Sequence, residues 1–136
     1  MSNLDETDLS WDHPGEASLW IGRFESEEHL NSYLEFCYGD DDETIKPPFC
    51  KDFAIYHFDE DFREAYIVEE SSNNLADLLS GCSYDEELIQ QFIDAGELEE
   101  AMNTVILLFN YKYHGRCKEI RSDGYSLRYI GNVRYE

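Results

Sequence analysis

The stretch TVILLFNY, Thr104 to Tyr111, is almost entirely apolar. A strand that is buried on both faces of a sheet reads as an unbroken apolar run, whereas a strand with one wet face alternates between apolar and polar residues. The run therefore predicts an interior strand around which the domain is arranged. Downstream, segments 116–121 and 125–133 flank the turn residues 122–124, which predicts an antiparallel meander at the C-terminal end.

Helical patterns precede this strand. Segment 26–39 predicts an amphipathic helix, because Ser26 is a good N-cap and the apolar residues after it recur at i, i+3, i+4 and i+7 before a glycine stop. Leucines within residues 75–79 predict a short helix. A further helix is predicted to open with the Ser-x-x-Glu box of Ser83 and Glu86.

Three upstream segments have strand character. Residues 17–24 form a short apolar run bounded by polar residues, which predicts the first strand. In residues 53–57, Phe53, Ile55 and His57 occupy alternate positions, which predicts an extended segment, and residues 66–68 predict another short strand.

These elements together predict an α+β fold in a single domain, with a mixed or antiparallel sheet of about five to six strands and about two to three helices packed on it. The chain of 136 residues is long enough to bury a sizeable core. Residues 1–16 are polar and acidic without sustained periodicity, so they predict a flexible N-terminal tail. The folded domain is expected to span residues 17–136.

Net charge narrows the class of partner. The chain carries 31 acidic and 10 basic residues, for a formal net charge of -21. Residues 1–100 hold 28 of the acids and 4 of the bases, whereas residues 101–136 hold 3 acids and 6 bases. Such a field repels nucleic acid and anionic lipid, so neither is expected as a direct partner, and it accelerates encounter with a basic protein.

The acids concentrate at the ends of predicted elements and in the loops between them. The candidate binding residues are Asp40, Asp41, Asp42, Glu43, Asp59, Glu60, Asp61, Glu69, Glu70, Asp85, Glu86 and Glu87. A surface of this kind resembles polyphosphate in charge and can occupy the basic cleft of a nuclease. Solubility alone is the alternative explanation for the same clusters.

The sequence contains no motif that indicates a metal site or a catalytic site. The run 40–43 lacks the alternating ligand spacing and the internal glycine of a calcium loop. No GxSxG, P-loop or HExxH motif occurs, and a chain with 31 acids always offers some carboxylate pair. The sequence therefore predicts no catalytic residue, no cofactor and no metal site.

Cysteine spacing and the start of the chain predict a compartment. Cys37, Cys50, Cys82 and Cys117 form no CxxC pair. The chain also lacks the basic start and apolar run of a secretory signal, and no stretch approaches 18 apolar residues. Reduced thiols and a cytoplasmic location are expected.

Four short motifs follow one another along the chain. They are SLWIGRF at residues 18–24, PFCKDF at 48–53, DEDF at 59–62 and IGN at 130–132. In order and spacing they resemble the immunity protein 22 family of bacterial polymorphic toxin systems, over residues 17–136. The resemblance implies an α+β protein encoded beside a toxin, which it binds and neutralises. Toxins of these systems are commonly nucleases, in agreement with the charge.

The resemblance transfers no catalytic residue and no interface residue to this chain. Around the DEDF motif, Phe58 and Phe62 are expected to anchor the segment in the core and to leave the acids between them on the surface. From the residues, a small carboxylate-based hydrolase or metal-dependent enzyme stays open as an alternative, as does an acidic structural domain with no toxin partner. Monomer and homodimer are both open.

Overall fold

The computed structural model describes residues 12–35, 37–38, 44–45, 47–55, 58, 62–92, 98–113, 115 and 117–135. The strands in these residues are β1 (Asp12–Phe24), β2 (Cys37–Tyr38), β3 (Thr44–Ile45), β4 (Arg63–Ser72), β5 (Met102–Tyr111), β6 (Glu119–Ser122) and β7 (Tyr125–Arg134). Five of them form one antiparallel sheet in the order β4-β5-β1-β7-β6, and β2 pairs with β3 in a separate two-stranded sheet.

Helices cover both faces of the large sheet. They are α1 (Glu27–Leu34), α2 (Pro48–Phe53), α3 (Leu75–Leu79) and α4 (Asp85–Phe92). α1 and α2 pack on one face in a core that contains Trp20, whereas α3 and α4 pack on the other face in a core that contains Leu19 and Ile21. The predicted single-domain α+β fold is confirmed, with four helices in the described residues rather than two to three.

β5 owes its unbroken apolar sequence to this two-sided burial. Ile106 and Leu108 join the core of Trp20, while Val105 and Leu107 join the opposite core. Both edges of the strand are also occupied, because β5 pairs with β1 on one side and with β4 on the other. The prediction of an interior strand from TVILLFNY is confirmed.

The first strand begins earlier than the sequence predicts. Residues 12–16, assigned above to the tail, belong to β1. Asp12 pairs with Tyr111 and Glu16 with Arg134, and the Gly15 amide donates to the Asn110 side chain at 2.9 Å. Polar residues join the strand because β5 and β7 extend far enough to satisfy their backbone groups. Residues 1–11 lie outside the described residues.

The predicted extended segment is wrong at Phe53 and Ala54, because Phe53 is the last residue of α2 and Ala54 is its C-cap. Pro48 occupies the first turn, where a missing amide hydrogen costs nothing and the fixed φ suits a helix. The helix stops at Ala54, which adopts a left-handed φ of 57° and donates its amide to the Cys50 carbonyl. His57 lies outside the described residues.

α1 confirms the predicted N-cap but ends early. The Ser26 hydroxyl accepts a hydrogen bond from the His29 amide at 3.1 Å. The helix then ends at Leu34 instead of continuing towards Gly39, because Cys37 and Tyr38 enter β2 and pair with β3. Strand pairing within the next few residues therefore overrides the helical periodicity.

The predicted capping box at the start of α4 is wrong. The helix begins at Asp85, and the preceding Tyr84 has a left-handed φ of 59°. The Ser83 amide instead donates to Glu64 Oε2 of β4 at 3.1 Å. A partner distant in sequence has replaced the local one. The predicted helix at residues 75–79 is confirmed as α3.

A buried polar network joins β1, β5 and β7. Asn132 Nδ2 donates to Ser18 Oγ at 3.1 Å, to the Tyr111 carbonyl at 3.1 Å and to the Ala17 carbonyl at 3.2 Å. Ser18 Oγ in turn donates to the Tyr111 carbonyl at 3.0 Å and accepts from the Tyr113 amide at 3.1 Å. Residues from the SLWIGRF and IGN motifs thus meet in the interior, where they serve the fold.

Buried tyrosines predict a loss of stability at alkaline pH. Burial raises the pKa of Tyr33, Tyr66 and Tyr111 above the usual 10.0, and it raises the pKa of Tyr113 to about 12. A pKa that is higher in the folded state contributes stability that is complete below the unfolded pKa and is lost as pH rises above it. We expect the urea midpoint to fall steadily from about pH 10 to about pH 12.

The Tyr111→Phe variant is the matched control for this titration. Desolvation is the main cause of the raised Tyr111 pKa, so phenylalanine removes the titrating group and keeps the ring. Its urea midpoint should decline less steeply over the same range, with tyrosinate absorbance followed in parallel. A midpoint that stays level up to about pH 12 would contradict the expectation.

Candidate functional site

The fold brings the described candidate acids to one side of the sheet. Glu69 and Glu70 lie on β4, an edge strand, and residues 85–87 form the first turn of α4. The candidate acids at 40–43 and at 59–61 lie outside the described residues. Together with two neighbouring acids, Glu64 of β4 and Asp77 of α3, the described candidates form what we call the acidic edge. Its members are Glu64, Glu69, Glu70, Asp77, Asp85, Glu86 and Glu87.

Glu69 and Glu70 project from an irregular part of β4. Ile67 pairs with Thr104 and Ser72 with Met102, so the register shifts across residues 68–71. Both glutamates are exposed there. Charged residues on a bulged edge strand also hinder pairing with a second sheet, so this part of the acidic edge has a protective role whatever its partner.

Three acids of the edge accept hydrogen bonds, two of them from amides of the α3–α4 connection and one from a hydroxyl of β4. Glu64 accepts from the Ser83 amide at 3.1 Å, and Asp85 accepts from the Gly81 amide at 2.8 Å. Asp77 accepts from the Ser72 hydroxyl at 3.0 Å. These bonds position the connection against β4.

The remaining acids of the edge are available to a partner. The side chains of Glu69, Glu70, Glu86 and Glu87 are exposed, and their carboxylates make no hydrogen bond or ion pair with another residue in the described part of the chain. Sequence reasoning missed Glu64 and Asp77. A signal was present, because residues 64–111 contain 11 acids and no lysine, arginine or histidine.

The two edges of the sheet differ in charge, although Arg63 begins β4 and Glu119 of β6 pairs with Arg121. Opposite the acidic edge, Arg121 lies on β6, the other edge strand, with Arg128 on β7 and Lys118 just before β6, all exposed. Next to the acidic edge, burial together with the carboxylates of Glu64 and Asp85 raises the pKa of the Cys82 thiol to about 11. Glu64 and Asp85 therefore place negative charge beside Cys82, on the β4 side of the molecule.

Two large aromatic side chains are exposed in the described residues, and one was expected in the core. Phe58 is buried beside Phe49 at a ring distance of 5.9 Å, as predicted. The prediction for Phe62 is wrong, because its exposed fraction is 45%. Phe58 already fills the core, and Phe62 immediately precedes the edge strand β4.

Tyr84 is the second exposed aromatic residue, with an exposed fraction of 50%. Its ring lies 4.7 Å from the Tyr135 ring and 5.8 Å from the Phe109 ring, and those two rings lie 5.0 Å apart. Phe109 follows Leu108, which pairs with Arg63, the neighbour of Phe62. Both exposed aromatics therefore lie where β4 begins and β5 approaches its end.

A separate cleft of about 370 Å³ lies by the β6–β7 turn. Its lining includes Arg23, Glu25, Asn103, Arg121 and Tyr125, and Glu25 is the one carboxylate. The paired carboxylates that hydrolysis requires do not meet in this cleft. Across the described ranges, no three metal-ligating side chains cluster.

Two further observations concern the thiols and the helices. Cys50, Cys82 and Cys117 form no disulfide within the described residues, whereas the Cys37 side chain is not among the described ones. None of the helices in the described ranges has the length and apolar character needed to cross a membrane.

Comparison with known proteins supports the motif resemblance. A family model described as Immunity protein 22 matches residues 17–136. The matched region begins within β1 and includes the whole acidic edge. No curated protein and no solved structure matches the chain.

Proposed function

Because this chain belongs to the Immunity protein 22 family, we propose that it neutralises a cognate bacterial toxin, a nuclease, by presenting the acidic edge to the basic region around the toxin's active site. Family membership carries the toxin-neutralising role. The nuclease and the acidic edge are inferred from charge, since a protein that binds nucleic acid offers a basic cleft and this chain offers carboxylates. The role is binding rather than catalysis, and it is carried out in the cytoplasm.

The distribution of charge is the observation that carries this proposal. Exposed glutamates occupy both β4 and the first turn of α4, and bases are absent throughout residues 64–111. Long-range attraction of this kind raises the association rate, while packed contacts determine how slowly the complex dissociates. The protein should therefore capture its toxin quickly at low salt and less quickly as salt rises.

Charge reversal on α4 tests the surface directly. The variant Glu86→Lys/Glu87→Lys is expected to slow association with the toxin domain encoded beside this chain by about tenfold or more at low salt, because steering changes association rates by about 10- to 1,000-fold. The association rates of the variant and of the unaltered chain should converge at high salt, since salt screens the attraction that the variant has lost.

The matched control lies on the opposite face of the sheet. Glu27 and Glu28 are also exposed first-turn acids, on α1, so Glu27→Lys/Glu28→Lys changes the net charge equally. We expect a smaller effect from this pair. Equal slowing by both pairs would contradict the acidic edge, and failure of the unaltered chain to bind at low salt would contradict the proposed function. A toxin that cleaves neither DNA nor RNA would contradict the nuclease assignment alone.

A further inference from the structure

An exposed aromatic surface lies beside Glu64 and the first turn of α4, which form one end of the acidic edge. Tyr84 is half exposed although two aromatic rings, those of Phe109 and Tyr135, form a platform beneath it. Its left-handed φ of 59° is uncommon for a bulky residue, and it occurs at the residue just before α4. Phe62 adds a second exposed ring at the same end of β4.

The surroundings specify the chemistry of an occupant. Tyr84 follows Ser83, whose amide is bonded to Glu64, and precedes Asp85, so carboxylates lie on both sides of it. Aromatic faces attract cations, and arginine or lysine gains further from neighbouring carboxylates. Protein interfaces combine these features as aromatic anchors surrounded by a charged rim. A basic protein surface complements this arrangement, whereas an acidic or purely apolar partner does not.

We propose that Tyr84, supported by Phe62, is the anchor of the toxin interface, and that its ring receives an arginine or lysine side chain of the toxin while Glu64 and the acids of the first turn of α4 pair beside it. This inference rests on the proposed function and deepens it, because it names the point of contact. The acids draw the partner in, and the aromatic anchor keeps it bound. Loss of the anchor should thus increase the dissociation rate and leave the association rate largely unchanged.

Tyr84→Gly separates binding from folding. Glycine adopts a left-handed φ without strain, so the variant removes the ring and relieves the backbone. We expect the Kd for the neighbouring toxin domain to rise by about 30-fold or more, as for an interface hot spot. Tyr84→Phe keeps the ring and should bind within about threefold of the unaltered chain.

Ala54→Gly is the matched backbone control. Ala54 is exposed and has a φ of 57°, but it ends α2 on the opposite face of the sheet. Its toxin affinity should equal that of the unaltered chain. Urea unfolding of Tyr84→Gly, Tyr84→Phe and Ala54→Gly checks that binding is compared between folded proteins. If Tyr84→Gly is unfolded, Phe62→Ser provides a second test of the same surface.

The outcomes separate the two proposals. If the unaltered chain binds and Tyr84→Gly binds within about threefold of it, the anchor is overturned while the proposed function stands. The same holds if Tyr84→Gly is unfolded and Phe62→Ser keeps full affinity. If the unaltered chain itself does not bind, the proposed function is overturned and the anchor with it.

Discussion

Replacing Trp20 with alanine is expected to lower the free energy of unfolding by about 3–5 kcal/mol, as for other large aromatic residues in protein cores. Trp20 has an exposed fraction of 0%. Its ring centroid lies 5.0 Å from that of Phe49, 5.3 Å from Tyr113 and 5.1 Å from Tyr129. The side chain therefore joins β1 to α2, to the segment after β5 and to β7, and its loss leaves a cavity among all of them.

The expected loss is a large part of the total stability of a domain, which is about 5–15 kcal/mol. Urea unfolding followed by far-ultraviolet circular dichroism would measure it. Trp20→Phe is the matched variant, because it keeps a ring and the indole Nε1 has no hydrogen-bond partner in the described structure. It should lose less stability than Trp20→Ala. A loss below about 1 kcal/mol in Trp20→Ala would show that the packing described here is wrong.

Asn132→Ala is expected to lower the free energy of unfolding by about 2–4 kcal/mol, because each buried polar group left without its partner costs about 1–3 kcal/mol. The Asn132 amide donates to Ser18 Oγ and to the carbonyls of Tyr111 and Ala17. Alanine removes all three of these bonds. The urea midpoint of the variant should fall. Its toxin affinity, measured without urea while the variant is folded, should not change.

A double-mutant cycle tests whether these bonds act as a network. Ser18→Ala and Asn132→Ala each remove part of the same buried set, so the combined variant should be more stable than the sum of the two losses predicts, with a coupling of about 0.5–3 kcal/mol. Gln91→Ala provides a control outside the network, because the Gln91 side chain donates to the Arg134 carbonyl in an exposed position. Its loss should add to that of Asn132→Ala without coupling. Strictly additive losses from Ser18 and Asn132 would contradict the network.

Several features of the molecule were readable from short windows of sequence. TVILLFNY predicts an interior strand because burial on both faces removes the need for alternation. Ser26 predicts a helix start because a serine hydroxyl can bond an amide three residues later, as the His29 amide shows. The acids of α4 and β4 were predicted as surface because ionised carboxylates are rarely buried. Each of these inferences depends on contacts within one element or on burial averaged along it.

Several failed predictions depend on tertiary contacts that the local sequence does not specify. Ser83 does not cap α4 because its amide meets Glu64 of β4. Residues 12–16 join the sheet because β5 and β7 offer pairing beside them. Phe62 is exposed because Phe58 already occupies the core beside Phe49. No local pattern encodes which strand lies next to which helix.

Composition and periodicity are sufficient to predict an acidic α+β domain with a buried apolar strand, because hydrophobic burial and charge are properties of each residue. Placement of the charges and of the exposed rings depends on the strand order β4-β5-β1-β7-β6. That order separates the acids of β4 from Arg121 of β6 and Arg128 of β7, and it brings Phe62 and Tyr84 to the same end of β4. The surface that contains Phe62, Tyr84 and the nearby acids therefore depends on long-range strand pairing, because its residues are neighbours in space and separated along the chain.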